Sequence, residues 1–216
     1  PPLAEPRPAG GLELRVRAAG LNFRDVLNVL GLYPGDPGPP GGDCAGVVTA
    51  VGCGVAHLGR GDAALGWAHA PLAHAARADA RLLGPKPAAL SFEAACTLPT
   101  VWSTVHVAFG RAALRVGHGA LVHATAGGIG LAAVEYAGWL RVGLVGSAGA
   151  AHKHGLVRAQ GVRQMCSSRD GAAFALGGAA ARGGRRLRLV LNSLSLDCIS
   201  APVALRGDGG GVEEIG

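Results

Sequence analysis

The stretch Ala120-Leu121-Val122-His123-Ala124-Thr125-Ala126-Gly127-Gly128-Ile129-Gly130 decides the fold of this chain. It opens with a short apolar run of the kind found in buried strands. Glycines follow, and the next segment, Leu131 to Leu140, has apolar residues at helical spacing. A strand, a glycine turn and a helix in this order make up half of a nucleotide-binding fold.

The glycine turn, Thr125–Gly130, has the composition that a dinucleotide pyrophosphate requires. Without side chains in the way, backbone N–H groups and the positive end of the following helix can approach the phosphate oxygens. A plain tight connection between strand and helix is the alternative for such a turn on its own. The position of the turn between a buried strand and a helix favours a pyrophosphate site.

The residues after this turn continue the alternation of strands and helices. Further strands are predicted at Leu144–Gly146, Leu187–Leu191 and Val212–Ile215, with helices near 153–160 and 170–181. This alternation predicts a parallel sheet with helices packed on it.

Acidic residues are absent between Glu135 and Asp170. An NAD site usually carries an Asp or Glu at the end of its second strand, whereas the 2′-phosphate of NADPH needs hydroxyls and cations. The interval contains Ser147, Lys153, Arg158, Arg163 and Arg169. NADPH is therefore the expected cofactor, with exposed helix cations as the alternative for Arg158 and Arg163.

The first part of the chain predicts a β-rich lobe. Leu12–Ala18 alternates polar and apolar residues, and Ala45–Gly52 and Ala63–Trp67 are further strand candidates. The pattern changes before residue 100, which predicts a first domain at 1–98 and a second at 99–216.

A short helix followed by a long loop is predicted inside the β-rich lobe. Phe23–Leu30 has helical spacing, with Val26, Leu27 and Leu30 expected to face inward. Gly31–Pro40 is rich in proline and glycine, which break helices and strands. A loop of this length is more often functional than idle.

Composition limits the function classes. Of the 216 residues, 49% are apolar, which predicts a globular protein with a core. The formal net charge of +6 with only 4% aromatic residues favours a basic surface for an acidic partner over a nucleic-acid platform.

Cysteine usage and hydropathy predict the compartment. The five cysteines contain no CxxC pair, so neither a disulfide framework nor a zinc ribbon is expected, and a reducing cytoplasm fits best. No segment reaches the roughly 18 apolar residues of a membrane span. The chain begins without Met, and we expect it to be cut from a longer polypeptide.

Motifs along the whole chain carry a resemblance to a known family. They are Leu21–Leu27, Leu32–Gly35, Gly41–Val48, Val122–Gly130, Ser167–Asp170 and Val190–Leu194. Together they resemble the enoyl reductase domain of polyketide synthases, a zinc-independent, quinone oxidoreductase-like member of the medium-chain dehydrogenase/reductase superfamily.

The resemblance implies an α/β fold with a GroES-like β-rich substrate lobe followed by a Rossmann lobe that binds NADPH. It also implies reduction of an enoyl thioester on an acyl carrier domain, beside neighbouring synthase domains such as a ketoreductase. The carrier domain is typically acidic, which matches the basic charge of this chain.

The resemblance further assigns cofactor-binding residues. Expected near the nicotinamide and its ribose are Asn22, Thr104, Asn192 and Ser193. Expected at the pyrophosphate turn are Thr125, Gly127, Gly128 and Ile129, and expected at the 2′-phosphate are Ser147, Lys153 and Arg169. For Asn22 and Thr104, a buried polar side chain bonded to backbone is an equal alternative.

Tyr33 is the expected catalytic residue. After hydride attack the thioester becomes an enolate that needs a proton at its α-carbon, and a phenol keeps its proton at neutral pH. The matching Tyr in the resembling enoyl reductases is associated with one configuration at an α-methyl branch. The alternative is an ordinary half-buried aromatic side chain packing the loop.

No metal is expected. In the superfamily's zinc alcohol dehydrogenases a Gly-His-Glu segment corresponds to Gly42-Asp43-Cys44, which lacks the His ligand. The closely spaced cysteines of their structural zinc loop are also absent.

Several departures from the family pattern leave alternatives open. The connection from Gly161 to Ser167 is short, and the alignment could place His152 instead of Lys153 at the phosphate. The chain stops just before a family Lys that, with a later Asp, is a candidate proton-donor pair, so we expect a Rossmann lobe truncated before its final strand. The competing functions are a free-standing NADPH quinone oxidoreductase-like enzyme and a degenerate, non-catalytic structural domain.

Overall fold

A computed structural model describes residues 9–167, 187–193 and 206–215 of the chain. The contacts divide the protein into two compact units, residues 1–100 and 101–216. No helix in the described ranges is long and apolar enough to cross a membrane.

Antiparallel strands form the first unit. Its elements are β1 (Gly11–Ala19), α1 (Phe23–Val29), β2 (Asp43–Val51), β3 (Ala63–Trp67), β4 (Ala75–Asp79), β5 (Leu83–Pro85) and α2 (Phe92–Ala95), with a 3₁₀ turn at Ala80–Leu82. Within residues 9–100, which the structure describes, the strands form one five-stranded sheet in the order β4-β1-β2-β3-β5. Leu12 and Leu14 are buried in its core and Val16 packs against them partly buried, as the alternation along β1 predicted, and Val48 of β2 joins the same core.

The predicted orientation of α1 is wrong for Val26 and Leu30, whereas Leu27 is half-buried. Val26 is 46% exposed and Leu30 is 63% exposed, although both were expected to face inward. The buried side chain of α1 is Asp25, whose carboxylate accepts backbone N–H groups from Asn22 (2.8 Å) and Gly41 (2.8 Å). Helical spacing identified the helix, but the hydrogen bond from Gly41 holds the side of the helix that carries Asp25 toward the protein.

The second unit is a parallel sheet flanked by helices. Its elements are α3 (Pro99–Arg111, which starts at the end of the first unit), β6 (Gly119–Val122), α4 (Gly128–Leu140), β7 (Gly143–Ala148), α5 (Ala151–Ala159), β8 (Gln164–Ser167), β9 (Leu187–Asn192) and β10 (Arg206–Glu214). Across the described part of this unit, the sheet order is β10-β9-β6-β7-β8. The helix predicted near 170–181 lies outside the described residues.

The strand order places a topological switch point between β6 and β9. These two strands are hydrogen-bonded neighbours although they are not consecutive along the chain. All four strand pairings are parallel in this described sheet, so the carboxyl ends of the strands lie on one edge. Ligands of open α/β sheets bind at this edge, beside the switch point.

Successive side chains of the central strands enter separate hydrophobic clusters. Val122 and Leu191 pack with α3 and α4, while Leu121 and Val190 pack on the opposite side of the sheet. All four are at most 1% exposed. Burial on both faces explains why these strands are continuously apolar in sequence instead of alternating.

Two glycines of α4 provide a matched test of the packing beneath the turn. A Cβ on Gly130 would lie 2.4 Å from Thr125 Cα, whereas a Cβ on Gly138 would meet nothing within 4 Å. We expect Gly130→Ala to lower the free energy of unfolding by about 1 to 3 kcal/mol, since backbone must move. Gly138→Ala is expected to raise it by about 0.5 to 1 kcal/mol, because alanine favours helix.

Denaturant unfolding of the two variants and the parent measures both effects. Equal stabilities for Gly130→Ala and Gly138→Ala would contradict the close packing of α4 on the turn.

Candidate functional site

The glycine turn lies at the carboxyl end of β6, beside the switch point. Gly127 caps α4 and is exposed, as is Gly128, the first residue of the helix. The amide of Gly127 donates to Ala124 O (2.8 Å). The first intrahelical hydrogen bond runs from Leu131 N to Gly127 O (2.9 Å), so the amides of residues 128–130 belong to the open first turn. This is the geometry in which a helix N-terminus binds phosphate.

Thr125 supports this turn from below. The residue has no exposed surface, and its hydroxyl donates to Val122 O (2.7 Å). The same oxygen accepts a hydrogen bond from Ser147 N (2.8 Å), and Thr125 N donates to Ser147 O (2.9 Å). The hydroxyl expected to contact the cofactor is therefore engaged within the fold, and it joins the turn to β7.

Ser147 is buried as well, which differs from its expected contact with a 2′-phosphate. It has no exposed surface, and its hydroxyl lies 3.0 Å from His123 Nδ1. The structure thus makes Ser147 a partner of Thr125 and His123 beneath the edge of the sheet.

His123 is a buried titratable residue beside the candidate site, and the sequence interpretation did not single it out. It follows β6 directly, is 3% exposed, and its backbone N–H donates to Leu191 O (3.0 Å) on β9. Burial lowers its pKa from 6.5 to about 4. The imidazole is therefore neutral at physiological pH, and the available signal was a polar residue at the end of an apolar run.

Other predicted residues of the second unit lie at or near the same edge. Asn192 ends β9 and is 2% exposed, while Ser193 follows it and is exposed. Thr104 is half-buried on α3, one turn after Val101, and Val101 Cγ1 lies 3.2 Å from the position of a Cβ on Gly128. The switch-point edge therefore collects Asn192, Ser193 and the glycine turn, with the first turns of α3 beside it.

Lys153 is exposed in the first turn of α5, which follows β7. His152 is exposed next to it, so either side chain is accessible to a phosphate. His154 instead faces the protein, with Nε2 2.9 Å from Ala148 O. Arg169 lies outside the described residues.

In the first unit, the carboxylate of Asp43 accepts hydrogen bonds from Asn22 and from Thr100. Asp43 is 1% exposed, and its Oδ2 accepts from Asn22 Nδ2 (3.0 Å) and Thr100 N (3.2 Å). Its Oδ1 accepts from Thr100 Oγ1 (2.6 Å). Because a carboxylate only accepts hydrogen bonds, this contact fixes which end of the Asn22 amide faces Asp43.

The thiol next to this carboxylate is held in its neutral form. Burial, followed by the charge of Asp43 and the neighbouring Cys96, raises the pKa of Cys44 to about 12. A thiolate, the form that binds metal, is therefore disfavoured at this position. Within the described residues, no group of three or more His, Cys, Asp or Glu side chains could hold a metal ion.

Tyr33 lies in the loop after α1 and is half-buried. The guanidinium carbon of Arg24 is 5.4 Å from the centre of its ring. Tyr33 and Asn22 thus belong to the first unit, whereas the glycine turn, Lys153 and Asn192 belong to the second.

Comparison with known proteins identifies the family. The family described as alcohol dehydrogenase GroES-like domain matches residues 8–167. The chain belongs to this family. Its GroES-like and Rossmann architecture confirms the predicted fold class.

Polyketide synthases are among the similar curated proteins. The pikromycin polyketide synthase component PikAII of Streptomyces venezuelae is 40% identical over 98% of this chain. The erythronolide synthase EryA2 of Saccharopolyspora erythraea is 39% identical over 100% of this chain. The chain spans 6% of the length of each of these two relatives.

Solved structures of similar proteins, one of them an enoyl reductase, have the same fold. The CurK enoyl reductase is 31% identical with a TM-score of 0.89, and the match covers 100% of this chain and 68% of that one. Mycobacterial Rv1454c, solved in complex with NADPH, is 26% identical with a TM-score of 0.87, over 100% of this chain and 68% of that one. The predicted resemblance to polyketide synthase enoyl reductases is confirmed.

The buried His123 predicts a specific dependence of stability on pH. Its folded-state pKa is lowered to about 4, so the unfolded chain takes up a proton first as pH falls below 6.5. The stability that neutral His123 contributes is therefore complete above pH 6.5 and is lost as the pH falls toward 4. We expect the free energy of unfolding to decrease by about 2 kcal/mol between pH 7 and pH 5.

Denaturant unfolding across this pH range measures the loss. His123→Gln removes this part of the pH dependence, while His152→Gln, at an exposed position, leaves it in place. A parent and a His123→Gln variant with the same pH slope would show that His123 is not buried in its neutral form.

Proposed function

We propose that this chain carries out the NADPH-dependent reduction of an enoyl thioester attached to an acyl carrier domain, as a step of polyketide or fatty-acid-like chain assembly. The observation that carries the proposal is the exposed glycine turn at the switch point of the parallel sheet. It belongs to a chain whose relatives are polyketide synthases and enoyl reductases.

The residues of the second unit fit a dinucleotide phosphate. The open first turn of α4 offers backbone N–H groups for the pyrophosphate from Gly128 and Ile129, beside the exposed Gly127. Lys153 is the exposed cation for the 2′-phosphate, and the segment between Glu135 and Asp170 supplies no competing carboxylate. Thr125 and Ser147 do not contact the phosphates in this proposal; their hydrogen bond holds the glycine turn against β7.

The nicotinamide end of the cofactor is proposed to contact further residues of the second unit. Asn192 and Ser193 lie at the end of β9, with Thr104 on α3. In the first unit, Asp43 orients the amide of Asn22. When bound, NADPH supplies the hydride that adds to the β-carbon of the enoyl thioester.

Tyr33 is proposed to complete the reaction by protonating the α-carbon of the resulting enolate. The electron pair of the enolate forms a new C–H bond with the phenol proton, and the O–H bond of Tyr33 breaks. Water then returns a proton to the phenolate. Tyr33 is half-buried, so part of its side chain stays accessible to a substrate.

The whole protein and its partners belong to the proposal. The relatives are large synthases, which supports neighbouring synthase domains, and we propose an acidic acyl carrier domain and a ketoreductase among them. The division into domains 1–98 and 99–216 remains part of this proposal. A reducing cytoplasm remains the proposed compartment; among the described residues, Cys44, Cys53, Cys96 and Cys166 are free.

Reduction of a crotonyl thioester of pantetheine by the intact natural protein tests the function. We expect consumption of NADPH to match formation of the saturated thioester, mole for mole. NADPH consumption with a quinone but not with the thioester would favour the quinone oxidoreductase-like alternative. NADPH binding without turnover of either substrate would favour the degenerate structural domain.

Lys153 is expected to discriminate between the two nicotinamide cofactors. Lys153→Ala removes one charge-assisted contact, which is expected to reduce the free energy of NADPH binding by about 1.5 to 3 kcal/mol. This corresponds to a roughly 10- to 150-fold higher Kd for NADPH. The affinity for NADH is expected to stay unchanged, because NADH lacks the 2′-phosphate. Fluorescence titration with both cofactors measures these affinities.

Arg158→Ala is the matched control, since Arg158 is an exposed cation in the last turn of the same helix. A parent protein that binds NADPH and NADH equally well would contradict the assignment. Selective weakening of NADPH by His152→Ala instead would move the phosphate contact to His152.

Replacement of Tyr33 tests its role as proton donor. With an α-methyl enoyl thioester, we expect the parent to give one α-configuration and Tyr33→Val and Tyr33→Phe to give the opposite or a mixed configuration. The physical reason is that water, which can approach from either side, replaces the positioned phenol. Chiral chromatography of the product measures the ratio, and an unchanged configuration would assign the proton to another group.

A further inference from the structure

The loop that carries Tyr33 is tied to α1 by three side chains. Arg24 Nη2 donates to Pro37 O (2.5 Å), and Asn28 Nδ2 donates to Gly38 O (2.9 Å). At the end of the loop, Gly41 N donates to Asp25 Oδ1 (2.8 Å). Polar side chains of α1 therefore hold the loop in position through these three hydrogen bonds.

The loop itself has little packing of its own. Gly31, Gly35 and Gly38 have positive φ angles of 68°, 78° and 67°, and a Cβ on any of them would meet no atom within 4 Å. Such positions fix the path of the backbone but contribute no contacts that would hold a side chain in place. The orientation of Tyr33 consequently depends on what touches its ring.

Arg24 is the side chain that links the ring to the helix. Its guanidinium carbon is 5.4 Å from the centre of the Tyr33 ring, within the range of a cation–π contact. The same guanidinium donates to Pro37 O on the far side of the turn. One planar group therefore holds both the Tyr33 ring and the backbone that returns from it, which a lysine ammonium cannot do equally well.

We propose that Arg24 is the positioning residue for Tyr33 and thereby controls which side of the enolate receives the proton; this rests on the proposed function of Tyr33. Arg24 does not exchange atoms with the substrate. It holds the phenol on one side of the α-carbon, so that the C–H bond forms there while the O–H bond of Tyr33 breaks. A positive charge over the ring also stabilises the phenolate left behind until water protonates it.

The test is the α-configuration produced by Arg24→Gln in the intact natural protein with NADPH and an α-methyl enoyl thioester. We expect the ratio of the two α-epimers to fall about fivefold or more, as for the loss of one cation–π contact and one charge-assisted hydrogen bond. Arg24→Lys keeps the charge without the planar group, and an intermediate ratio is expected.

Arg17→Gln is the matched control. Arg17 is also exposed, and its guanidinium carbon lies 5.9 Å from the centre of the Phe92 ring. Unlike Arg24, it makes none of the hydrogen bonds to the Tyr33 loop described above. We expect this variant to retain the parent epimer ratio. A change as large as that of Arg24→Gln would overturn the proposal, since any lost surface cation would then act alike.

A double variant separates positioning from a structural effect. If Arg24 acts through Tyr33, Arg24→Gln has no further effect on the epimer ratio in a Tyr33→Phe background that already lacks the phenol. Independent, additive changes would overturn the proposal, as would an unchanged ratio in Arg24→Gln when Tyr33→Phe alters it.

Hydrogen exchange of the amides of residues 31–42 supplies a readout that does not need turnover. We expect faster exchange in Arg24→Gln and parent-like exchange in Arg17→Gln. A parent protein that does not reduce the thioester would reject the proposed function, whereas unchanged exchange in Arg24→Gln would reject the positioning of the loop by Arg24.

Discussion

The contact between the backbone of Thr125 and the first turn of α4 determines where the glycine turn lies in the second unit. Because Gly130 lies against Thr125, the first turn of α4 packs on the turn that follows β6, and Gly127 and Gly128 stay exposed. The Thr125 hydroxyl then joins β6 to β7 by bonds to Val122 and Ser147. The position of the turn therefore depends on backbone packing, and the exposed glycines are free to meet a ligand.

The sequence was most informative where structure is determined locally. The strand, turn and helix around Gly127 were predicted because residue spacing and the absence of side chains decide them within a few positions. The orientation of α1 was not predicted correctly, because it depends on a hydrogen bond to Asp25 from Gly41, which lies 16 positions away. Hydrophobic periodicity reports which residues are apolar, and it cannot detect a buried carboxylate with backbone partners.

The candidate site shows the same division. The exposed turn and Lys153 followed from motif position and charge, but the burial of Ser147 under the edge of the sheet did not. His123 was overlooked for a related reason, because its burial comes from neighbours on β7 and β9. The bonds of Asp43 to Asn22 and Thr100 join residues up to 57 positions apart, and no local pattern encodes such distances.

The inverted packing of α1 has a consequence for redesign. The side chains that anchor this helix, Asp25 and Asn28, are polar, while the outward ones include Phe23 at 75% exposure and Val29 at 74%. Exposed positions usually tolerate replacement within about 0.5 kcal/mol. The apolar outer positions Phe23 and Val29 can therefore be replaced without loss of the loop contacts, which come from Arg24, Asp25 and Asn28.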